Sequence, residues 1–204
     1  RIFKVVYKVM LKVVKTDEKM VVFISFHGRG YTCNPKYIHQ QMCKDPRFDD
    51  YTFVWALKKP GALQIEHAKQ IRYNTLSYFY TMCKAKYWVV NCKLPYYIVK
   101  KQDQVYLQTW HGTPLKRLVF DQEEVTSASP KYKQQFFKQR ADWDYLISAN
   151  PFSTKTFRSC FMYEGDMMEY GYPRNDILYA PDKEQRAIQI REKLNIPTDK
   201  KTIL

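Results

Sequence analysis

Val21-Val22-Phe23-Ile24-Ser25-Phe26 runs directly into His27-Gly28-Arg29-Gly30, and Asn34-Pro35 then opens a helical stretch to about Cys43. A short apolar run, a glycine turn and a proline at the head of a helical segment make strand, turn and helix, the repeating unit of α/β proteins. The alternation continues down the chain. Tyr51-Thr52-Phe53-Val54-Trp55-Ala56 reads as a second strand closed by Lys58-Lys59-Pro60-Gly61, and Asn74 to Lys84 as a helix. Tyr87-Trp88-Val89-Val90-Asn91, Val105-Tyr106-Leu107-Gln108-Thr109-Trp110, Asp144-Tyr145-Leu146-Ile147-Ser148 and Met167-Met168-Glu169-Tyr170 read as further strands. About six strands with helices between most of them predict a mainly parallel sheet covered on both faces. Ligands of such sheets bind outside the carboxyl ends of the strands.

Further along, Asp182-Lys183-Glu184-Gln185 has capping-box spacing and starts a helix to about Leu194, where Asn195-Ile196-Pro197 stops it. Lys200 to Leu204 then resembles the opening of a new strand. The expected organisation is a basic helix over residues 1–18, one α/β domain over 19–180, and a connector over 181–204 leading into a second domain absent here.

The chain carries 34 Lys and Arg against 20 Asp and Glu over 204 residues, a net charge of +14, with 45% hydrophobic and 16% aromatic residues. That composition builds a core and excludes a disordered polycation. Its longest apolar run falls far short of the roughly 20 residues of a spanning helix. The five cysteines are odd in number, scattered and without metal-site spacing, which predicts free thiols in a reducing, cytosolic compartment. A basic chain attracts nucleic acid, anionic membranes and phosphorylated substrates alike, so the distribution of charge has to discriminate. Arg1, Lys4, Lys8, Lys12 and Lys15 are interleaved with Ile2, Phe3, Val5, Val6, Val9, Met10, Val13 and Val14, with no acid among them. On a helix those cations share an arc of about 80°. The helix suits an anionic bilayer interface, or else packs on the core and shows its lysines to water. Acid-free stretches from Lys84 to Lys101 and Lys131 to Arg140 set cations beside aromatics, which also fits a nucleic-acid-binding module without catalysis, although no known recognition motif is present.

The chemistry concentrates in Gln108-Thr109-Trp110-His111-Gly112-Thr113-Pro114-Leu115-Lys116-Arg117. A strand delivers His111 to the carboxyl edge of the sheet, and Gly112 permits a turn or a close ligand approach. Thr113 followed by Pro114 reads as an N-cap and a first-turn proline, so a helix N-terminus is expected beside the histidine. Free N–H groups there, with Lys116 and Arg117 near, suit a phosphate, and a neighbouring histidine can act as general base on a hydroxyl. His39 is expected within a helix, and His27 in a solvated turn. Gly171 to Asp176 reads as a Gly-Pro turn with Asn175 or Asp176 capping the next helix, and Arg174 is its ligand candidate. Asp121, Glu123 and Glu124, which follow the helix expected from Thr113, read as a solvated acidic face rather than a metal site; no metal and no cofactor is expected.

Three blocks carry a family resemblance: Ser25-Phe26 with Gly28, Tyr31 and Asn34-Pro35-Lys36-Tyr37-Ile38; Trp110-His111-Gly112-Thr113-Pro114-Leu115-Lys116; and Gly171-Tyr172-Pro173-Arg174-Asn175-Asp176. In this order they are similar to those of the CDP-glycerol glycerophosphotransferases, the teichoic acid primases and polymerases. The resemblance implies a GT-B type fold of which this is the amino-terminal, acceptor-side Rossmann-like half, inactive alone. It implies a bacterial enzyme, peripheral at the cytoplasmic membrane face, that moves glycerol phosphate or another polyol phosphate from a CDP-polyol to a polyprenyl-diphosphate-linked acceptor and releases CMP. His111 would be the base. Gly28, Asn34, Gly112, Thr113, Lys116, Arg117 and Arg174 would be substrate contacts, with most CDP-binding residues in the missing half.

Overall fold

A computed structural model describes residues 2–123, 130–197 and 199–203, with backbone alone at Ile2. Arg1, Glu124 and Leu204, which figured in the sequence expectations, lie outside the described residues.

Seven parallel strands form one sheet in the order β3-β2-β1-β4-β5-β6-β7. They are β1 (Asp17–Ile24), β2 (Thr52–Leu57), β3 (Ala68–Arg72), β4 (Ala85–Val90), β5 (Val105–Gln108), β6 (Tyr145–Ser148) and β7 (Asp166–Glu169). The helices are α1 (Ile2–Val13), α2 (Cys33–Met42), α3 (Leu76–Lys84), α4 (Tyr132–Arg140), α5 (Pro151–Cys160) and α6 (Lys183–Lys193). The chain builds outward from β1 to β3, then returns to lay β4 on the other side of β1, with Val22 in register with both Val54 and Trp88. Loops leaving β1 and β4 therefore diverge and open a crevice at their carboxyl ends.

One face of the sheet packs α1, α3, α4 and α5 through Tyr7, Phe79, Trp88, Phe136, Phe157 and Phe161, and the other packs α2 over Val21, Phe23 and Trp55. Side chains of a strand alternate between faces, which is why Trp55 and Ala56, or Phe23 and Ile24, divide between the two cores. α5 begins where Asn150 accepts a hydrogen bond from the Ser153 amide at 2.8 Å ahead of Pro151, the side-chain cap and first-turn proline of a well-specified helix start.

Several expectations are corrected. β3, Ala68-Lys69-Gln70-Ile71-Arg72, was not anticipated; it is a polar edge strand with no apolar run to betray it. β1 starts at Asp17, so the amino-terminal helix ends short of residue 18, at Val13. The helix expected from Thr113 does not form: the chain runs irregularly to a short 3-10 turn at Val119–Asp121. Burial explains this, because Pro114 and Val119 are buried while Leu115, which would share a helical face with Val119, is 86% exposed. Asn175 and Asp176 lie inside a 3-10 segment, Pro173–Tyr179, and cap nothing. The capping box at Asp182 is unused, its carboxylate binding Arg186 at 2.7 Å instead. Lys201 to Ile203, expected to open a strand, form none.

α1 settles on the core by one stripe and leaves another outside. Tyr7 is fully buried, its hydroxyl donating to the Val99 carbonyl at 2.7 Å, and Met10, Leu11 and Val14 pack beside it. Val5, Val9 and Val13 remain 62%, 56% and 69% exposed next to exposed Lys8 and Lys12.

Candidate active site

At the end of β5 the fully buried Gln108 accepts a bond from the Trp110 amide at 3.0 Å, and the Thr109 amide donates to the Val90 carbonyl at 2.8 Å. These bonds turn the chain sharply, with Trp110 at φ +48°, and present His111 at the crevice. Its ring is half-buried, stacked on Trp110 at 4.5 Å between centroids and met edge-on by Phe26 at 5.4 Å. Its Nδ1 lies 2.6 Å from the Asn91 carbonyl oxygen. A carbonyl only accepts, so Nδ1 carries the hydrogen and Nε2 keeps a free lone pair.

Asn91, just beyond β4, is fully buried; its Oδ1 accepts from the Phe26 amide at 2.8 Å and its Nδ2 donates to Ser25 Oγ at 3.1 Å. Phe26, His27, Cys33 and Trp110 all sit at positive φ around this edge, a concentration of backbone strain of the kind found at functional sites. Asn91 is a site residue that the sequence motifs do not mark, its one signal being a polar residue that closes the buried run Trp88-Val89-Val90 at the crevice.

The three sequence blocks meet in space. Asn34, expected as a substrate contact, is instead fully buried and spends its amide inside the protein: Nδ2 donates to the Thr109 and Trp110 carbonyls at 3.1 and 3.2 Å, and Oδ1 accepts from the Arg174 amide at 3.3 Å. The Arg174 guanidinium donates to the His111 carbonyl at 2.9 Å and touches Cys33 Sγ at 3.5 Å. Tyr172 donates its hydroxyl to the Gly112 carbonyl at 2.7 Å, and burial pushes that phenol up to about 12. The electropositive helix start beside His111 is thus that of α2, whose N-cap Thr32 makes no side-chain cap bond, rather than one following Thr113. A cavity of about 320 Å³ opens there, lined by Phe26, Thr32, Cys33, Tyr37, Arg174 and Asn175 among others.

Gly28 does not face this cavity. It has φ +78°, and a Cβ there would lie 2.9 Å from Tyr73 Cβ and 3.0 Å from the Ala56 carbonyl, so it serves packing. Thr113, Lys116 and Arg117 are exposed, and Arg117 pairs with Glu123 rather than with the site. Asp121, expected on a solvated face, accepts a bond from Ser159 Oγ at 2.5 Å. His27 is held below the ordinary histidine range, first by burial and then by Arg29, Lys58, Lys93 and His111, which marks this edge as basic. Among the described residues no cluster of three or more His, Cys, Asp or Glu side chains is arranged to hold a metal ion.

Comparison with known proteins adds to this geometry. Residues 5–204 match the profile of the CDP-Glycerol:Poly(glycerophosphate) glycerophosphotransferase family. The chain is 37% identical over its whole length to a teichoic acid poly(glycerol phosphate) polymerase of Bacillus spizizenii, covering 53% of that protein. It is 44% identical over 91% of its length to the polymerase of the same description in Bacillus subtilis, covering 25% of it, and 36% identical over 92% to a teichoic acid glycerol-phosphate transferase of Staphylococcus aureus, covering 49%. Among solved structures it resembles the wall teichoic acid polymerase TagF with a TM-score of 0.88 and 38% identity, spanning 97% of this chain and 50% of that one. A histidine-to-asparagine variant of TagF soaked with CDPG gives 0.89 and 39%. The chain therefore spans a quarter to about half the length of these relatives, and its α/β sheet has the fold of part of a GT-B type enzyme. These likenesses lend nothing to the nucleic-acid-binding alternative.

Proposed function

The chain belongs to the CDP-Glycerol:Poly(glycerophosphate) glycerophosphotransferase family, and from that premise we propose that it forms the acceptor-side half of an enzyme that transfers glycerol phosphate from CDP-glycerol to the terminal hydroxyl of a polyprenyl-diphosphate-linked acceptor. His111 Nε2 takes the proton of that hydroxyl as its oxygen attacks the β-phosphorus of the donor. The bond from that phosphorus to the bridging oxygen breaks, and CMP leaves. Arg174 and the first turn of α2 offset charge on the transferring group. Most of the binding site for the CDP moiety falls to residues outside these 204, so the chain by itself is expected to be inactive.

The observation that carries this reading is the 2.6 Å contact between His111 Nδ1 and the Asn91 carbonyl, which leaves Nε2 of the half-buried ring as its accepting nitrogen. General-base assistance is worth about 10²–10⁴ in rate. The test is CMP release from CDP-glycerol by the full-length protein with a lipid-linked acceptor. His111→Ala should lower it at least about a hundredfold; retention of more than about a tenth of the wild-type rate overturns the assignment.

The reading extends to the membrane. Among the described residues no helix is long and apolar enough to cross a bilayer. The exposed Val5, Val9 and Val13 beside Lys8 and Lys12 support peripheral attachment of α1 to an anionic, cytoplasmic membrane face.

A further inference from the structure

We infer that Asn91 is the positioning residue of the general base: its side chain pins the loop after β1 to the end of β4 and so aims the carbonyl that fixes the orientation and tautomer of His111. The inference rests on the base role assigned to His111 above.

Two unrelated parts of the chain must be held in register for the imidazole to stand where it does. Phe26 supplies the edge-on wall of the ring at 5.4 Å, and Asn91 supplies the acceptor at 2.6 Å. The direct main-chain link between the two strand ends at this point, from the Asn91 amide to the Ile24 carbonyl, is long at 3.4 Å. The Asn91 side chain makes the closer connections, accepting from the Phe26 amide at 2.8 Å and donating to Ser25 Oγ at 3.1 Å. Both of its polar atoms are thereby used, and the residue is fully buried. Phe26 and His27 sit at φ +44° and +56°, conformations that persist only where surrounding bonds over-determine them. Without the amide that turn is free to relax, the Phe26 ring leaves the imidazole, and the Asn91 carbonyl is free to rotate away from Nδ1. An imidazole released from that carbonyl populates both tautomers, and the Nε2-protonated one cannot accept the hydroxyl proton.

Among the charged and titratable groups gathered around this edge are His27, Arg29 and Lys58 beyond β1 and β2, Cys92 and Lys93 beyond β4, Cys33 of α2, Arg174 and Tyr172. None of them is a carboxylate. Asn91→Asp therefore keeps the acceptor for the Phe26 amide and keeps a partner for Ser25, while placing a new anion close to His111, which favours the imidazolium.

The experiment uses the full-length protein with three variants, Asn91→Ala, Asn91→Asp and Ser25→Ala, the last removing only the outer partner of the clamp. CMP release is measured against pH, and the His111 ring nitrogens are followed by nitrogen NMR, assigned by their loss in His111→Ala. The expected results are an Nδ1-protonated ring in the wild type, a fall in kcat of at least about tenfold with less than about twofold change in KM for Asn91→Ala, and an acid limb displaced to higher pH for Asn91→Asp. A wild-type ring protonated at Nε2, or an Asn91→Asp profile that overlays the wild type, overturns the inference. The ring spectrum reports on positioning whatever reaction is catalysed. An Nδ1-protonated wild type that releases no CMP would therefore leave the positioning standing and remove the proposed function.

Discussion

The main-chain nitrogen of Arg174 donates to Asn34 Oδ1 at 3.3 Å, across 140 residues of sequence, and Asn34 Nδ2 in turn donates to the Thr109 and Trp110 carbonyls. One buried side chain thus ties the start of α2, the exit of β5 and the first residues of the 3-10 segment Pro173–Tyr179 into one unit around His111. Asn34→Ala removes a bond from three main-chain groups and leaves two of them, the Thr109 carbonyl and the Arg174 amide, without a partner, since the Trp110 carbonyl keeps Thr109 Oγ1 at 3.1 Å; an unsatisfied buried group costs about 1–3 kcal/mol. We expect a loss of about 2–4 kcal/mol in denaturant unfolding, since the lost bonds are shared within one cluster. Asn34→Asp should cost more, because a carboxylate would face two carbonyl oxygens in place of a donor. A loss below about 0.5 kcal/mol for either variant would show that the brace carries no stability.

Two glycines of the sequence blocks separate by the same logic. Gly28 combines φ +78° with atoms at 2.9, 3.0 and 3.1 Å from any added Cβ, so Gly28→Ala meets both backbone strain and overlap, about 2–4 kcal/mol together. Gly112 has open space around it and no positive φ, so Gly112→Ala should stay within about 0.5 kcal/mol of wild type. Any large activity loss in Gly112→Ala would then report on ligand approach alone. Thermal melts of the pair test the first contrast, and CMP release tests the second.

His39 makes a pH dependence. It is 1% exposed in an aromatic nest of Phe23 and Phe53 at 5.1 Å and Trp55 at 5.9 Å, with Tyr31 hydroxyl at 3.0 Å from Nδ1. Burial, assisted by His67, holds its pKa down to about 4 against an ordinary 6.5. The folded value is the lower one, so below pH 6.5 the unfolded chain takes up a proton that the native protein refuses. The contribution of neutral His39 is whole above about pH 6.5 and is lost progressively as pH falls toward about 4, by up to about 3 kcal/mol. His39→Gln should flatten that part of the stability curve whatever it does to stability at pH 7. Unfolding free energies of both proteins between about pH 4 and 7 decide it; parallel curves would refute the assignment.

Local signals served well wherever one strand or turn acted alone. Val21 to Ile24, Phe53 to Leu57 and Trp88 to Val90 are buried on both faces, so their apolar runs were legible, and with them the carboxyl edge where His111 emerges. Ala68 to Arg72 was illegible because an edge strand need not be apolar. Thr113-Pro114 illustrates the opposite error. Its capping grammar is sound, but Tyr172 holds the Gly112 carbonyl and the core takes Pro114 and Val119, and those distant partners outweigh local preference. Asn91 escaped, and Asn34 was given a ligand to hold instead of the loops it braces, for the same reason: a bracing amide looks, in sequence, like any polar residue near a turn.

α1 offers the last prediction, because its two apolar stripes have different duties. Tyr7, Met10, Leu11 and Val14 belong to the core, so altering them would unfold the domain edge and confuse any binding measurement. Val5, Val9 and Val13 do not, and Lys8 and Lys12 flank them outside. If the helix lies on anionic lipid, each lysine near the surface contributes about 1 kcal/mol at moderate ionic strength. Lys8→Glu with Lys12→Glu removes two attractions and adds two repulsions, so binding to phosphatidylserine-containing vesicles should fall at least about thirtyfold. Val5→Gln with Val9→Gln should weaken binding to the same vesicles without altering the salt dependence, since it removes only apolar insertion. Both doublets should melt within a few degrees of wild type, about 1 kcal/mol or less, because all four side chains already face water. Vesicle co-sedimentation of the full-length protein at low and high salt distinguishes the two contributions. Binding unchanged in both doublets would assign α1 to the core alone.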